Sequence, residues 1–178
     1  MKKVFSKKYI MDNRGCYSKT DVEKIPCINE KITLKKLYAQ LPYNDFVWFF
    51  SKQCGLTSKQ LSCFALGCAN LAMQIFEKDS QNDNSVRDCI EKTELYLKGQ
   101  CSLEALEVAV AAAASTATDD DYAYDVVYAA VAAAAATDDD YAYVYVDEAY
   151  GYAYDYAYSA KELPLFKKKV WELIEGFK

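Results

Sequence analysis

Residues 117–160 read "ATDDDYAYDVVYAAVAAAAATDDDYAYVYVDEAYGYAYDYAYSA" and contain one phrase twice, Ala-Thr-Asp-Asp-Asp-Tyr-Ala-Tyr at 117–124 and again at 136–143. A metal site, a β-ribbon and the starts of two helices could each use these letters. The strict alternation that puts Tyr152, Tyr154, Tyr156 and Tyr158 at every second position has the period of a strand, which would place all four on one face. Against a strand, alanine is a poor strand former, and the runs 109–114 and 132–136 have little β-branched support. No Asn-Gly or Asp-Gly hairpin signal separates the segments. Read as helices, Thr118 and Thr137 are N-caps, and the aspartates after them occupy first turns, where the helix dipole favours negative charge by about 0.3–1 kcal/mol each. Poly-alanine has the highest helix propensity of any composition. The pattern therefore predicts helices over about 118–135 and 137–160, with Tyr152–Tyr156 and Tyr154–Tyr158 as i,i+4 pairs and the strand reading as the alternative.

The aspartates carry three readings. Consecutive side chains on a helix diverge by about 100°, so a triplet does not converge on one ion, and the interleaved spacing and central glycine of a calcium loop are absent. Capping and solvation is favoured over a divalent-cation site, and no metal or other cofactor is expected. A third reading makes Asp119, Asp120, Asp138 and Asp139 an acidic partner-facing patch. The tyrosines divide similarly. Eleven of the sixteen lie between 122 and 158, where helix packing would use most of them as core or boundary residues. The functional alternative is an exposed tyrosine and aspartate surface, in which Tyr152, Tyr154, Tyr156 and Tyr158 anchor a protein partner.

Outward from this tract, charge is unevenly placed. Between Lys98 and Lys161 there is no Lys or Arg and there are twelve Asp or Glu, which leaves 21 positive against 14 negative charges in the remainder. Such one-signed fields steer partners without deciding a fold. Histidine is absent, which removes Ser-His-Asp and Cys-His catalysis and every His-ligated metal. Neither a nucleophile elbow nor a phosphate-binding glycine loop occurs. The reading is that the protein is not an enzyme. Seven cysteines, an odd number without zinc-ribbon spacing, are expected as reduced thiols in a cytoplasm. No apolar run approaches the roughly 20 residues of a membrane span, and no signal peptide is recognisable.

Before the repeat, the chain is punctuated by helix signals. "TDVE" at 20–23 has the form of a capping box, Thr33 precedes "LKKLYAQL", and "NDFVWFFSKQC" at 44–54 is a third short helix ended by Gly55. "TSKQ" at 57–60 is a second capping box, opening a long helix whose apolar face runs Leu61, Phe64, Ala65, Cys68, Leu71, Ala72, Ile75 and Phe76. Val86, Cys89, Ile90, Thr93 and Leu97 form the next stripe, ended by Gly99, and Ser102 can cap "LEALEVAVAAAASTA". At the far end, Phe166, Val170, Leu173, Ile174 and Phe177 share one face opposite Lys167–Lys169, the pattern of a closing helix more than of a membrane-surface one. In "NRGCY" at 13–17, Gly15 suits a turn and Arg14 is a candidate for an anion or a partner.

"NRGCY", "FVWFF" at 46–50, "FALGCANLAMQIFEKDSQNDNSVRDCIEKTELYLKG" at 64–99 and the alanine-rich tract after them resemble an immunity-like family of alanine-rich helical proteins of phages, prophages and bacteria. This chain departs from the pattern by using Tyr and Asp where relatives often carry Trp, Arg or His. The resemblance implies an all-α fold and a non-catalytic role in conflict between bacteria and phages, and it supplies no catalytic residue.

The expectation is thus one all-α domain over 1–178, an array of antiparallel helices: short helices over 1–56, a hairpin over 57–98, stacked Ala/Tyr-rich helices over 102–160 and a closing helix over 161–178. The expected function is a cytoplasmic, non-enzymatic binder that neutralises or modulates a bacterial or phage protein. Two alternatives stay open. One is a sponge in which Arg14 and Arg87 capture a nucleotide signal, and the other is an acidic mimic of nucleic acid. The target, the host and the oligomeric state, a homo-oligomer included, are not specified by the residues.

Overall fold

The computed structural model describes residues 4–12, 31–79, 84–115, 121–136 and 142–177. The chain divides into two compact units, Met1–Leu56 and Thr57–Lys178.

In the first unit, β1 (Val4–Ser6) pairs antiparallel with β2 (Lys31–Thr33), with Phe5 opposite Ile32. Both central side chains are buried and their neighbours exposed, the alternation a half-buried ladder requires. Strands this short carry too little pattern to be read in sequence. Each is followed directly by a capped helix. Ser6 Oγ accepts the Tyr9 N–H at 3.1 Å at the start of α1 (Lys7–Asp12), and Thr33 Oγ1 accepts the Lys36 N–H at 3.3 Å at the start of α2 (Leu34–Gln40). In α3 (Tyr43–Gln53), Phe46, Val47, Phe49 and Phe50 are all buried, and Phe49 meets Phe5 edge-on at 4.8 Å between ring centres. Gly55, at φ +67°, follows that helix in the left-handed conformation that glycine reaches without a steric penalty. The segment with "TDVE" and "NRGCY" lies outside the described residues.

Among its described residues, the second unit has six helices: α4 (Ser58–Asp79), α5 (Asn84–Leu97), α6 (Leu103–Ser115), α7 (Asp121–Ala135), α8 (Ala142–Ser159) and α9 (Leu163–Gly176). The capping box at 57–60 closes in both directions: Gln60 N–H donates to Thr57 Oγ1 at 3.2 Å, and Thr57 N–H to Gln60 Oε1 at 3.0 Å. Ser102 Oγ accepts the Ala105 N–H at 3.3 Å, capping α6. Gly99, at φ +70°, ends α5 in a Schellman turn with Gln100 N–H to Leu95 O at 2.8 Å and Gly99 N–H to Tyr96 O at 2.9 Å. Lys161 makes the same turn after α8 at φ +59°, where a side chain is disfavoured.

α7 lies at the middle. It packs on α4, α5, α6 and α8, and Val126, Val127, Ala129, Ala130, Ala132, Ala133 and Ala134 are buried around its circumference. Alanine allows this, since its short side chain lets four neighbouring backbones come close. Ser62 on α4 donates to the carbonyls of Ser58, at 2.9 Å, and Ala136, tying α4 to the end of α7. α9 packs on α4 and α8 through buried Phe166, Val170 and Ile174, which is the closing helix expected from sequence. Gly67 on α4 makes room for it, because a Cβ there would stand 2.7 Å from Leu173 Cδ1.

The all-α reading is correct for the described residues, with the small β1–β2 ladder as an addition. The repeat forms helices at Asp121–Ala135 and Ala142–Ser159. Thr118 and Thr137, the expected caps, lie outside the described residues. Cys54, Cys63, Cys68, Cys89 and Cys101 are free thiols, and burial pushes Cys89 up to about 11, which makes it a core residue and not a reactive one.

Candidate protein-binding face

The buried side of α8 holds two tyrosines, Tyr150 and Tyr156, 1% and 4% exposed, beside a seam of small residues. The seam runs Ala142, Val146, Ala149, Ala153 and Ala157, the i,i+3 and i,i+4 spacing of one helix face. The tyrosines of the alternating run are divided among different sides. Tyr152 meets Tyr128 of α7 at 5.4 Å between ring centres, Tyr154 meets Phe166 of α9 at 6.4 Å, and Tyr156, only 4% exposed, meets Phe76 of α4 at 6.1 Å. Tyr158 is 68% exposed. The four therefore do not share one face. Tyr156 belongs to the core, Tyr154 packs toward α9 with Lys167 Nζ over its ring at 5.3 Å, and Tyr152 and Tyr154 are half-buried while Tyr158 is exposed.

Around Tyr152 an acidic aromatic cluster forms. Burial pushes the Tyr152 phenol up, and Glu148, Tyr128 and Asp125 add in the same direction, which places those three groups within electrostatic reach of its hydroxyl. Asp147 is likewise raised, by burial first and by Glu148 second. A neutral phenol beside carboxylates is a hydrogen-bond donor set in a negative field.

One helical turn before Glu148, Tyr145 borders a groove of about 370 Å3 between α6, α7 and α8, lined also by Leu103, Val110, Val131 and Glu107 and, at its buried side, by Leu106 and Ala134. Leu103 and the nearby Val108 are 53% and 67% exposed. The groove and the Tyr128–Tyr152 pair lie along the same two helices, α7 and α8. Tyr128, Tyr145, Glu148 and the α6 groove were not picked out from sequence. A groove between three helices exists only once they pack, although Leu103 and Val108 in an alanine helix with two charges are the residues that could have signalled it.

Arg87 forms an ion pair with Glu77 and borders a cavity of about 130 Å3 shared with Asn70, Gln74 and Glu91. Two glutamates beside one arginine offset the charge an anion would need, and the volume is below the roughly 300–1,000 Å3 of ligand clefts. Arg14, Asp119, Asp120, Asp138 and Asp139 lie outside the described residues. Among the described residues, no three His, Cys, Asp or Glu side chains are placed to hold a metal ion, and no helix is long and apolar enough to cross a membrane.

Among the described residues, the second unit is a helical array with an apolar cleft between three of its helices, a form that suits a helical binding protein. The chain belongs to the Imm-5 like putative immunity protein family, whose model matches residues 55–168. The match takes in α4 to α8 and the groove, and none of the helices or strands of the first unit. Comparison with curated proteins and with solved structures finds no match to either. Family membership implies a binding or neutralising role toward a partner protein.

Proposed function

We propose that the protein is a non-enzymatic binder of phage or prophage type, acting in the host bacterial cytoplasm, that neutralises a bacterial or phage conflict protein by covering its surface. The observation that carries this reading is the Tyr128–Tyr152 pair set among Glu148 and Asp125, in a stretch from Lys98 to Lys161 without any basic residue. Tyrosine buries large area at low entropic cost and is enriched where binding energy concentrates, while a one-signed field speeds encounter with a basic target. The partner is accordingly a protein with a basic face.

Capture from host lysate with the full chain tests this. The captured protein should bind the Arg87→Ala variant as it binds the parent, and bind Tyr128→Ala and Tyr152→Ala about tenfold or more weakly, the loss of roughly 1.4 kcal/mol. Recovery of a nucleotide as the sole ligand, or loss of binding with Arg87→Ala alone, would support the sponge. Displacement of the target by DNA at matched ionic strength would support mimicry of nucleic acid.

A further inference from the structure

The outer side of α6 departs from the rule for a surface helix, which normally shows solvent a charged face. Its exposed positions include Val108, Ala111, Ala112 and Ala114, with Glu104 and Glu107 as the charged ones. The groove beside it follows the helix axis, since Leu103, Leu106, Glu107, Val110 and Ala111 all border it. Those recur at steps of three and four residues and span about 12 Å of axis, two helical turns. Ala111, Ala134 and Ala135 along its lining leave room for the close approach of another backbone. The one charged residue lining this apolar strip is acidic, Glu107, with Glu104 a turn before it on α6 and Glu148 a turn along α8 from Tyr145.

We propose that this groove seats an amphipathic helix of the partner protein, its apolar side lying on Leu103, Val110 and Val131 and its Lys or Arg side chains meeting Glu104, Glu107 and Glu148. The proposal rests on the binding-protein reading above and names the partner's chemistry. A helix fits because an apolar groove of two turns takes anchors at i, i+3, i+4 and i+7, whereas an extended peptide adds to an open sheet edge, and no strand borders this groove among the described residues. Basic flanks follow from charge complementarity, since like charge against this rim would oppose docking.

The test uses the full chain and two synthetic amphipathic peptides, each with leucine along one helical face and either lysine or glutamate along the other. Two variants at exposed positions probe the site: Ala111→Trp, which fills the groove, and Glu107→Lys, which reverses the rim. Circular dichroism and melting establish that each is folded. Fluorescence polarisation should show the lysine peptide binding the parent, the glutamate peptide failing to bind, and both variants losing about tenfold or more in affinity for the lysine peptide. Undiminished binding by Ala111→Trp would mean charge alone attracts the peptide, and equal binding of both peptides, or of neither, would equally overturn the proposal. The captured host protein separates the two readings: if it still binds Ala111→Trp, the groove assignment fails and the binding-protein reading stands. If the parent captures no protein, the broader reading fails, and the peptides still decide whether the groove takes a basic helix.

Discussion

Tyr156 and Tyr158 stand two positions apart and occupy opposite environments, one 4% exposed against Phe76 and the other 68% exposed. Tyr156→Ala should destabilise the fold by about 3–5 kcal/mol, the range for removing a buried aromatic ring, while Tyr158→Ala should stay within about 0.5 kcal/mol. Urea denaturation of the two variants checks this, and similar midpoints would contradict the assignment. The difference was not legible in sequence, where both are tyrosines in one alternating run. Single residues with a local mechanism were legible: Thr57 and Gln60, Ser102 and Gly99 each satisfy or end a helix through groups within a few positions of themselves, and local hydrogen bonds need no knowledge of the fold.

At the scale of the element, the alternating tyrosines of α8 follow from helical geometry combined with its neighbours. Every second residue of a helix advances by about 200°, so successive tyrosines visit different sides. α8 has α7, α4 and α9 around it, and each side takes a ring, at Tyr152, Tyr156 and Tyr154. The period of two, which in a strand marks a single face, here marks a helix surrounded by partners. That could not be separated from a strand by periodicity alone, and alanine content decided it. The seam between the rings is Ala149, Ala153 and Ala157, all fully buried. Ala153→Leu should therefore cost about 1–3 kcal/mol by overpacking, whereas Ala112→Leu on the exposed side of α6 should be close to neutral. A calorimetric melt of both distinguishes a close-packed seam from a loose one, which would tolerate either change.

For the whole molecule, the twelve acidic residues between Lys98 and Lys161 bear on the pH response. Asp147 and Asp155 are raised above the ordinary 3.8, chiefly by burial. A carboxyl whose folded value lies above its unfolded one binds its proton more readily in the folded protein, so its contribution to stability grows as pH falls into the carboxylate range and is lost as pH rises through the folded value. Melting temperature should thus rise as pH falls from neutrality into the carboxylate range, and replacing both with Asn should flatten that rise. A parent protein that loses stability steadily over the same interval would contradict the shifts. Added salt should also stabilise, by screening the repulsion within the segment. The uneven charge was readable from composition, as was the all-α class. The boundary after Leu56 was readable as the end of the short helices, and the groove was not, because it depends on which faces meet.

The acidic faces of α6, α7 and α8 are proposed to engage a protein partner. Hydrogen–deuterium exchange of the full chain, alone and saturated with the protein it captures from host lysate, measures this engagement directly. Protection on binding should concentrate in residues 103–115, 125–135 and 142–159 and leave 84–97, around Arg87, unchanged. Protection confined to 84–97, with the three helices exchanging as in the free protein, would contradict it.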